Sequence, residues 1–180
     1  AAAELDFDRK FEQYSRENKD PNRRIRRGVG IATSMRGASI GADGLDVSRV
    51  MIEIEEDASV NVNLGLMEIG QGLRTCQAQM AADGMGVPFE RITMNEVDTS
   101  SCPTTGACIA SRGTYVGGWA IKDACDKLHA IIAEALERKY GKPVTDIRFE
   151  NDRVRFADMD LSFPEAIHAC YSQGVTPIAV

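Results

Sequence analysis

The sequence is poor in the residues on which several common kinds of site depend. It has two histidines and one tryptophan in 180 residues, and its five cysteines include no Cys-x-x-Cys pair. His129 and His168 both lie in helix-like runs, so a histidine-based metal site is not expected. Cysteines without metal spacing are typical of reduced thiols, which predicts a cytoplasmic location.

The sequence also has no apolar run long enough to cross a bilayer, and no signal-peptide pattern opens it. We therefore expect no membrane association. The net charge of −6 argues against a nucleic-acid-binding role. A dinucleotide fingerprint is incomplete, because Gly28-Val29-Gly30 is followed by Thr33 where the third glycine belongs. An independent nucleotide-binding protein is thus a weakly supported alternative.

What is present is an ordinary globular composition without repeats or low-complexity tracts. We find no domain boundary and predict a single domain over residues 1–180, a length that allows one real core. The chain begins Ala1-Ala2-Ala3 without methionine. We interpret it as a domain excised from a longer chain or as one piece of a split subunit.

The hydrophobic patterns predict about six strands and four helices in mixed order, which indicates the α+β class with mixed sheets and packed helices. The strand, helix and strand predicted over residues 60–97 suggest a crossover unit. The predicted helices cover residues 5–18, 73–84, 114–139 and about 162–172. The predicted strands cover residues 28–40, 48–55, 60–66, 91–97, 146–150 and 153–156, with a turn at 41–44.

One glycine-bracketed turn, residues 68–75 with the sequence Glu-Ile-Gly-Gln-Gly-Leu-Arg-Thr, joins a predicted strand to a predicted helix. Glycine lets a backbone approach a ligand closely, and a helix N-terminus suits an anionic group. Gln71 carries donors and an acceptor that suit the edge of a flat heterocycle. The alternative is a simple turn with no ligand.

A second segment, residues 104–114, opens the longest predicted helix with hydroxyls, small side chains and one arginine. Free N–H groups, hydroxyls and a guanidinium are what a phosphate needs. Alternatively, Ser111 or Thr114 only caps the helix. Two helix-opening turns in one domain favour a shared anionic cofactor. Gly117 and Gly118 indicate that another element packs closely against this helix.

These segments carry a resemblance to a known family. Residues 67–75 resemble the cofactor-contacting turn of the xanthine dehydrogenase and aldehyde oxidase family of molybdenum hydroxylases. Residues 87–92, Val-Pro-Phe-Glu-Arg-Ile, with Asp98-Thr99, look like the link to the second contact at 103–114. Within the second contact, the sequence Ala110-Ser111-Arg112 is similar to the one in the large chains of carbon monoxide dehydrogenase and 4-hydroxybenzoyl-CoA reductase. Residues 11–30 resemble the lead-in of the family's last large domain.

The resemblance implies one half of the family's molybdopterin-binding domain, holding molybdopterin with molybdenum, usually as the cytosine dinucleotide in bacteria. Gln71 with its two glycines would contact the pterin or the pyrophosphate. A second group, from the helix-opening segment, would hold the other side. The implied cofactor-binding residues are Ile69, Gly70, Gln71, Gly72, Ala110, Ser111, Arg112, Gly113 and Thr114.

The resemblance further implies oxidative hydroxylation of a carbon centre, with electrons passed to an iron–sulfur subunit and an FAD subunit. The family's motif near molybdenum, its substrate-pocket loop and its general-base glutamate are absent here. We therefore expect no catalytic or metal-binding residue in this chain, no turnover by it alone, and no information on the substrate. Glu68 lies in a different motif and is expected to be structural. A cofactor-free binding or scaffold module with the same fold is the alternative.

Overall fold

A computed structural model of the chain describes residues 2–35 and 46–180, which belong to two units, Ala1–Arg36 and Gly37–Val180. In the described residues, four α-helices occur, namely α1 (Phe7–Glu17), α2 (Leu73–Met85), α3 (Arg112–Tyr140) and α4 (Phe163–Tyr171). The same residues form seven strands, namely β1 (Val50–Ile54), β2 (Val60–Leu64), β3 (Ile92–Met94), β4 (Arg148–Glu150), β5 (Arg153–Phe156), β6 (Met159–Ser162) and β7 (Ile178–Ala179).

The first unit contains α1, at the position predicted for a helix over residues 5–18. Phe7 and Phe11 stack on one face with ring centroids 5.8 Å apart, as the helical spacing predicts. The strand predicted over 28–40 is wrong in its described part, since residues 28–35 form no strand. This stretch begins with two glycines, Gly28 and Gly30, which bring no side chain to pack in a sheet. The rest of that strand and the turn at 41–44 lie outside the described residues.

The second unit is built on a four-stranded sheet in the order β3-β2-β1-β7. The hairpin of β1 and β2 is antiparallel, with Ile52 opposite Val62. Strand β3 is parallel to β2, with Val60 opposite Ile92, and α2 makes the connection between them. The predicted crossover is confirmed. The alternate side chains Val50, Ile52 and Ile54 are buried, as the period-two pattern predicts.

A smaller antiparallel sheet in the order β4-β5-β6 leads into α4. A capping box opens this helix: Ser162 Oγ accepts the Glu165 backbone N–H at 3.3 Å, and the Glu165 carboxylate accepts the Ser162 N–H at 2.7 Å. Strands β6 and β7 were not predicted. The two residues of β7 are too short for a hydrophobic alternation to mark them, and β6 continues directly into the helix predicted from residue 162. The α+β class is confirmed.

Glycines let α3 pack closely on α2 and the sheet. A methyl carbon built on Gly117 would lie 2.6 Å from Leu66 Cδ1, and one on Gly118 would lie 2.7 Å from Met80 Sδ. Both distances are shorter than van der Waals contact, so only glycine permits this approach without movement of the neighbours. The expectation that another element packs closely against these two glycines is confirmed. The packing places the N-termini of α2 and α3 side by side.

Candidate functional site

The turn between β2 and α2 is built on two glycines in the left-handed region. Gly70 has φ +96° and Gly72 has φ +80°, a conformation that strains other residues. In residues 2–35 and 46–180, no atom beyond the two chain neighbours lies within 4 Å of a methyl carbon built at either position. The peptide backbone of the turn is therefore open to close approach by another molecule.

The Gln71 side chain folds back over this turn. Its Oε1 accepts the Ile69 N–H at 2.6 Å, and its Nε2 donates to the Met67 carbonyl at 3.0 Å. A primary amide has two N–H donors and two acceptor lone pairs, so one of each remains. The exposed side chain is thereby held in one orientation, with a neutral donor and acceptor left over.

The Glu68 carboxylate binds the N-terminus of α2. Its Oε1 accepts the N–H groups of Gly70 at 2.7 Å and Gly72 at 3.0 Å, and its Oε2 accepts the Arg74 N–H at 3.0 Å. The Arg74 N–H is the largest cause, followed by the two glycine N–H groups, of a Glu68 pKa below its ordinary value. The helix end that we expected to attract a ligand anion thus already holds a carboxylate.

The Arg112 side chain shapes the second segment from inside. It is only 1% exposed. Its Nη2 donates to the carbonyls of Val47 at 2.7 Å and Thr105 at 3.0 Å, while other guanidinium nitrogens bind the Asp46 carboxylate and the Ala107 carbonyl. The guanidinium therefore wraps residues 105–107 around itself. Its part in ligand contact remains a prediction.

The start of α3 keeps unused donors. Ser111 occupies the N-cap position, but its side chain makes no capping bond. The Arg112 N–H donates to Ile109 O at 3.1 Å, and the Tyr115 N–H donates to Ser111 O at 2.8 Å. In the described part of the chain, the N–H groups of Gly113 and Thr114 have no acceptor. Unused N–H groups at a helix N-terminus suit an anion.

The two segments touch each other. Cys108 Sγ lies 3.5 Å from the Met67 carbonyl oxygen. A methyl carbon on Gly113 would lie 2.9 Å from Leu73 Cδ2, so the first turns of α2 and α3 are in contact. The structure therefore brings the nine predicted site residues to one end of the α2–α3 pair.

Exposed apolar side chains surround this end. Ile69 is 79% exposed, and Tyr115 and Trp119 are each 58% exposed. An open groove of about 430 Å³ runs along the start of α3 and is lined by Met80, Ser111, Thr114, Tyr115, Gly118, Trp119 and Lys122. Large apolar side chains in this number beside a polar site are typical of a surface that another molecule covers.

Other kinds of site find no support in the residues described. Among residues 2–35 and 46–180, no three histidine, cysteine, aspartate or glutamate side chains are close enough to hold a metal ion. No helix in the same ranges has the length and apolarity to span a membrane. Burial raises the pKa of the Cys125 thiol to about 12 and that of Cys170 to about 11. Neither buried thiol is a nucleophile near neutral pH.

Comparisons with known proteins agree with this geometry. The molybdopterin cofactor-binding domain family matches residues 1–179. A xanthine dehydrogenase from Blastobotrys adeninivorans is 33% identical over 133 residues, which are 74% of this chain and 9% of that protein. Quinoline 2-oxidoreductase from Pseudomonas putida 86 superposes with a TM-score of 0.65 at 25% identity, over 72% of this chain and 18% of that one.

CO dehydrogenase from Oligotropha carboxidovorans superposes with a TM-score of 0.66 at 25% identity, over 74% of this chain and 18% of that one. The fold and the paired helix-opening turns define a cofactor-binding domain of the molybdenum hydroxylases. The chain belongs to the molybdopterin cofactor-binding domain family. It spans about a tenth of the length of the xanthine dehydrogenases that it matches.

A structural role was predicted for Glu68 from the sequence. The sequence did not reveal that its carboxylate binds the N-terminus of α2. The available signal was an acidic residue two positions before the first glycine of a turn that opens a helix. A carboxylate at that spacing can reach the free N–H groups of the first helical turn.

Proposed function

We propose that the two contacting turns bind molybdopterin with molybdenum as part of a molybdenum hydroxylase. The supporting observation is that the turns touch while each keeps unused hydrogen-bonding groups. The proposed contacts are Ile69, Gly70, Gln71, Gly72, Ala110, Ser111, Gly113 and Thr114, with Arg112 shaping the loop that precedes them.

The chemistry of the available donors fits this cofactor. The remaining N–H and lone pair of Gln71 suit the mixed donor and acceptor edge of a pterin. The two open glycines allow that ring to approach the backbone. The unused N–H groups of Gly113 and Thr114 suit a phosphate. The two turns therefore offer hydrogen-bonding groups both for a neutral heterocycle and for an anionic group of the same ligand.

When bound, the cofactor would supply the molybdenum chemistry that hydroxylates a carbon centre. The residues of this chain bind and orient it. Three backbone N–H bonds to Glu68 and two side-chain bonds from Gln71 hold the first turn. Four acceptors around the Arg112 guanidinium hold the second. A site held in this way loses little conformational freedom when the ligand arrives.

We further propose the cytosine dinucleotide form of the cofactor. A second cavity of about 310 Å³ lies along the loop that leads into α3, and it is lined by Gly65, Val97, Asp98, Thr99, Cys102, Pro103, Thr104, Thr105 and Gly106. Its hydroxyls, carboxylate and backbone groups offer the mixture of donors and acceptors that a nucleotide base and ribose need.

The proposed partners are the other domains of the molybdopterin-binding chain, an iron–sulfur subunit and an FAD subunit. The exposed apolar residues Ile69, Tyr115 and Trp119 support cover by a neighbouring domain. We propose a cytoplasmic enzyme, since all five cysteines are free thiols.

The test is the cofactor content of the complete enzyme carrying Gln71→Ala. We expect about a fivefold loss of cofactor affinity, because a lost hydrogen bond of this kind costs about 1 kcal/mol. Molybdenum and pterin are assayed under limiting cofactor. Gln79→Ala, which removes an exposed glutamine on α2, is the matched control and should keep full occupancy. Equal cofactor occupancy in both variants would show that Gln71 does not contact the cofactor. A native assembly without molybdenum would favour the cofactor-free module.

A further inference from the structure

The N-terminus of α2 is electrostatically closed by its own chain. Both oxygens of the Glu68 carboxylate are engaged, Oε1 by two backbone N–H groups and Oε2 by a third. A helix N-terminus carries about half a positive elementary charge, which one carboxylate offsets. A second anion at this position would find no unused N–H of Gly70, Gly72 or Arg74 and would meet a like charge.

The neighbouring charged side chains do not restore a positive charge at the N-terminus of α2. The Arg74 guanidinium turns away from Glu68, since it donates to Glu96 Oε1 at 2.8 Å and to the Met94 carbonyl at 2.6 Å. Cys108, from the second segment, contacts the turn through the Met67 carbonyl. Among the described residues, the titratable side chains that hydrogen-bond to this turn or to the Arg74 side chain are therefore Glu68, Glu96 and Cys108, with Arg74 as the cation.

The adjacent helix end differs. The first turn of α3 contains no acidic residue, and within the described ranges the N–H groups of Gly113 and Thr114 have no acceptor. The two helix N-termini are in contact through Leu73 and Gly113. At the α2 end a carboxylate accepts the backbone N–H groups, whereas at the α3 end the Asp46 carboxylate binds the Arg112 side chain.

We propose that Glu68 is the resident anion of the α2 N-terminus and the positioning residue of the Gln71 turn. It excludes external anions from the first turn, so that this turn presents only the neutral amide of Gln71 and open backbone. As a deepening of the proposed function, this means that anionic groups of the ligand bind at the start of α3 and not at the start of α2.

The experiment needs no cofactor. Backbone amide NMR spectra of the 180-residue chain are recorded during a titration with inorganic phosphate, first for the unmodified chain and then for Glu68→Gln. In the unmodified chain we expect the Gly70, Gly72 and Arg74 signals to remain unmoved. In Glu68→Gln the same three signals should shift with an apparent affinity at least about fivefold higher. Glu90→Gln, at an exposed glutamate, should behave as the unmodified chain.

A pH titration of the unmodified chain tests the proposal even if the variant misfolds. The three amides should shift together with one midpoint below the ordinary carboxyl range, because one carboxylate serves all three. Independent midpoints, or phosphate shifts at these amides that are as large in the unmodified chain as in the variant, would overturn the proposal. If the amides behave as expected while Gln71→Ala keeps full cofactor, Glu68 is the resident anion of the α2 N-terminus, but the assignment of the Gln71 turn to the cofactor is wrong.

Discussion

Arg112 is a cation that the fold can bury because acceptors surround it. An unpaired charge in the interior costs several kcal/mol, and here a carboxylate and three carbonyls offset that cost. Gly106, with φ +73°, lies against the guanidinium, and a methyl carbon there would be 3.1 Å from Nη2. The loop preceding α3 is therefore organised around one side chain, and its shape depends on the planar geometry of that guanidinium.

His129 shows how burial fixes a protonation state. Its ring stacks on Phe149 with centroids 3.9 Å apart and planes 6° apart. Its buried Nε2 has no partner among the described residues. Burial lowers the pKa of His129 to about 4, so the ring is neutral at physiological pH. The interaction between α3 and β4 at this point is therefore apolar stacking.

This lowered pKa predicts a pH-dependent stability. The unfolded chain protonates His129 near pH 6.5, while the folded chain does so only near pH 4. The unfolded state therefore binds more protons in this window, and stability is full above pH 6.5 and falls as the pH drops towards 4. We expect a loss of about 2 kcal/mol in the free energy of unfolding, below the full linkage value because the ring is partly exposed.

Urea denaturation at pH 7 and pH 4.5 measures this loss. His129→Phe keeps a ring on Phe149 but cannot be protonated, so it should lose clearly less stability over the same interval. His168→Phe, at the other and exposed histidine, serves as the control and should retain the pH dependence of the unmodified chain. An unchanged pH dependence in His129→Phe would contradict the assignment to His129.

At the scale of elements, the closeness of α2 and α3 depends on glycines that a helix would otherwise disfavour. We predict that Gly117→Ala destabilises the chain, although alanine is the better helix former by about 1 kcal/mol. The added methyl would lie 2.6 Å from Cδ1 of the buried Leu66 side chain, and overpacking of this kind costs about 1–3 kcal/mol.

Gly118→Ala is the matched comparison on the same helix. Its methyl would meet only the Met80 thioether, a flexible side chain at the edge of an open groove. The urea midpoint should fall for Gly117→Ala and stay nearly constant or rise for Gly118→Ala. Equal effects of both substitutions would show that helix propensity, and not the approach of Leu66, governs this contact.

The sequence could predict the elements that have a periodic pattern or clear end signals. The long helix before Gly141 carries an apolar stripe, and both it and the helix starting at Leu73 end at a glycine. Strand β7 pairs with β1 across more than a hundred residues, so no local pattern could reveal it. The same holds at the site. The turn at Gly70 was predictable, but the acceptors of Arg112 come from residues 46–47 and 105–107, which only the fold brings together.

At the scale of the whole molecule, the site and an apolar face coincide. We define the apolar face by its exposed side chains, which lie on the two contacting turns or within two helical turns of them. They are Met67, Ile69, Ile109, Tyr115 and Trp119. Exposed apolar groups beside a polar site reduce solubility unless another surface covers them, and aromatic residues contribute most to such contacts.

We therefore predict that the isolated 180-residue chain self-associates through the apolar face. Its sedimentation coefficient should rise with concentration, because two copies would bury in each other the surface that we propose a neighbouring domain covers. Trp119 is the single tryptophan of the chain, so its fluorescence reports on this face alone. The emission should move to shorter wavelength over the same concentration range.

The double variant Ile69→Ser, Tyr115→Ser should remain monomeric, whereas Phe11→Ser, at an exposed ring of α1, should associate as the unmodified chain does. A concentration-independent monomer with constant Trp119 emission would mean that this face, despite its composition, is adapted to water.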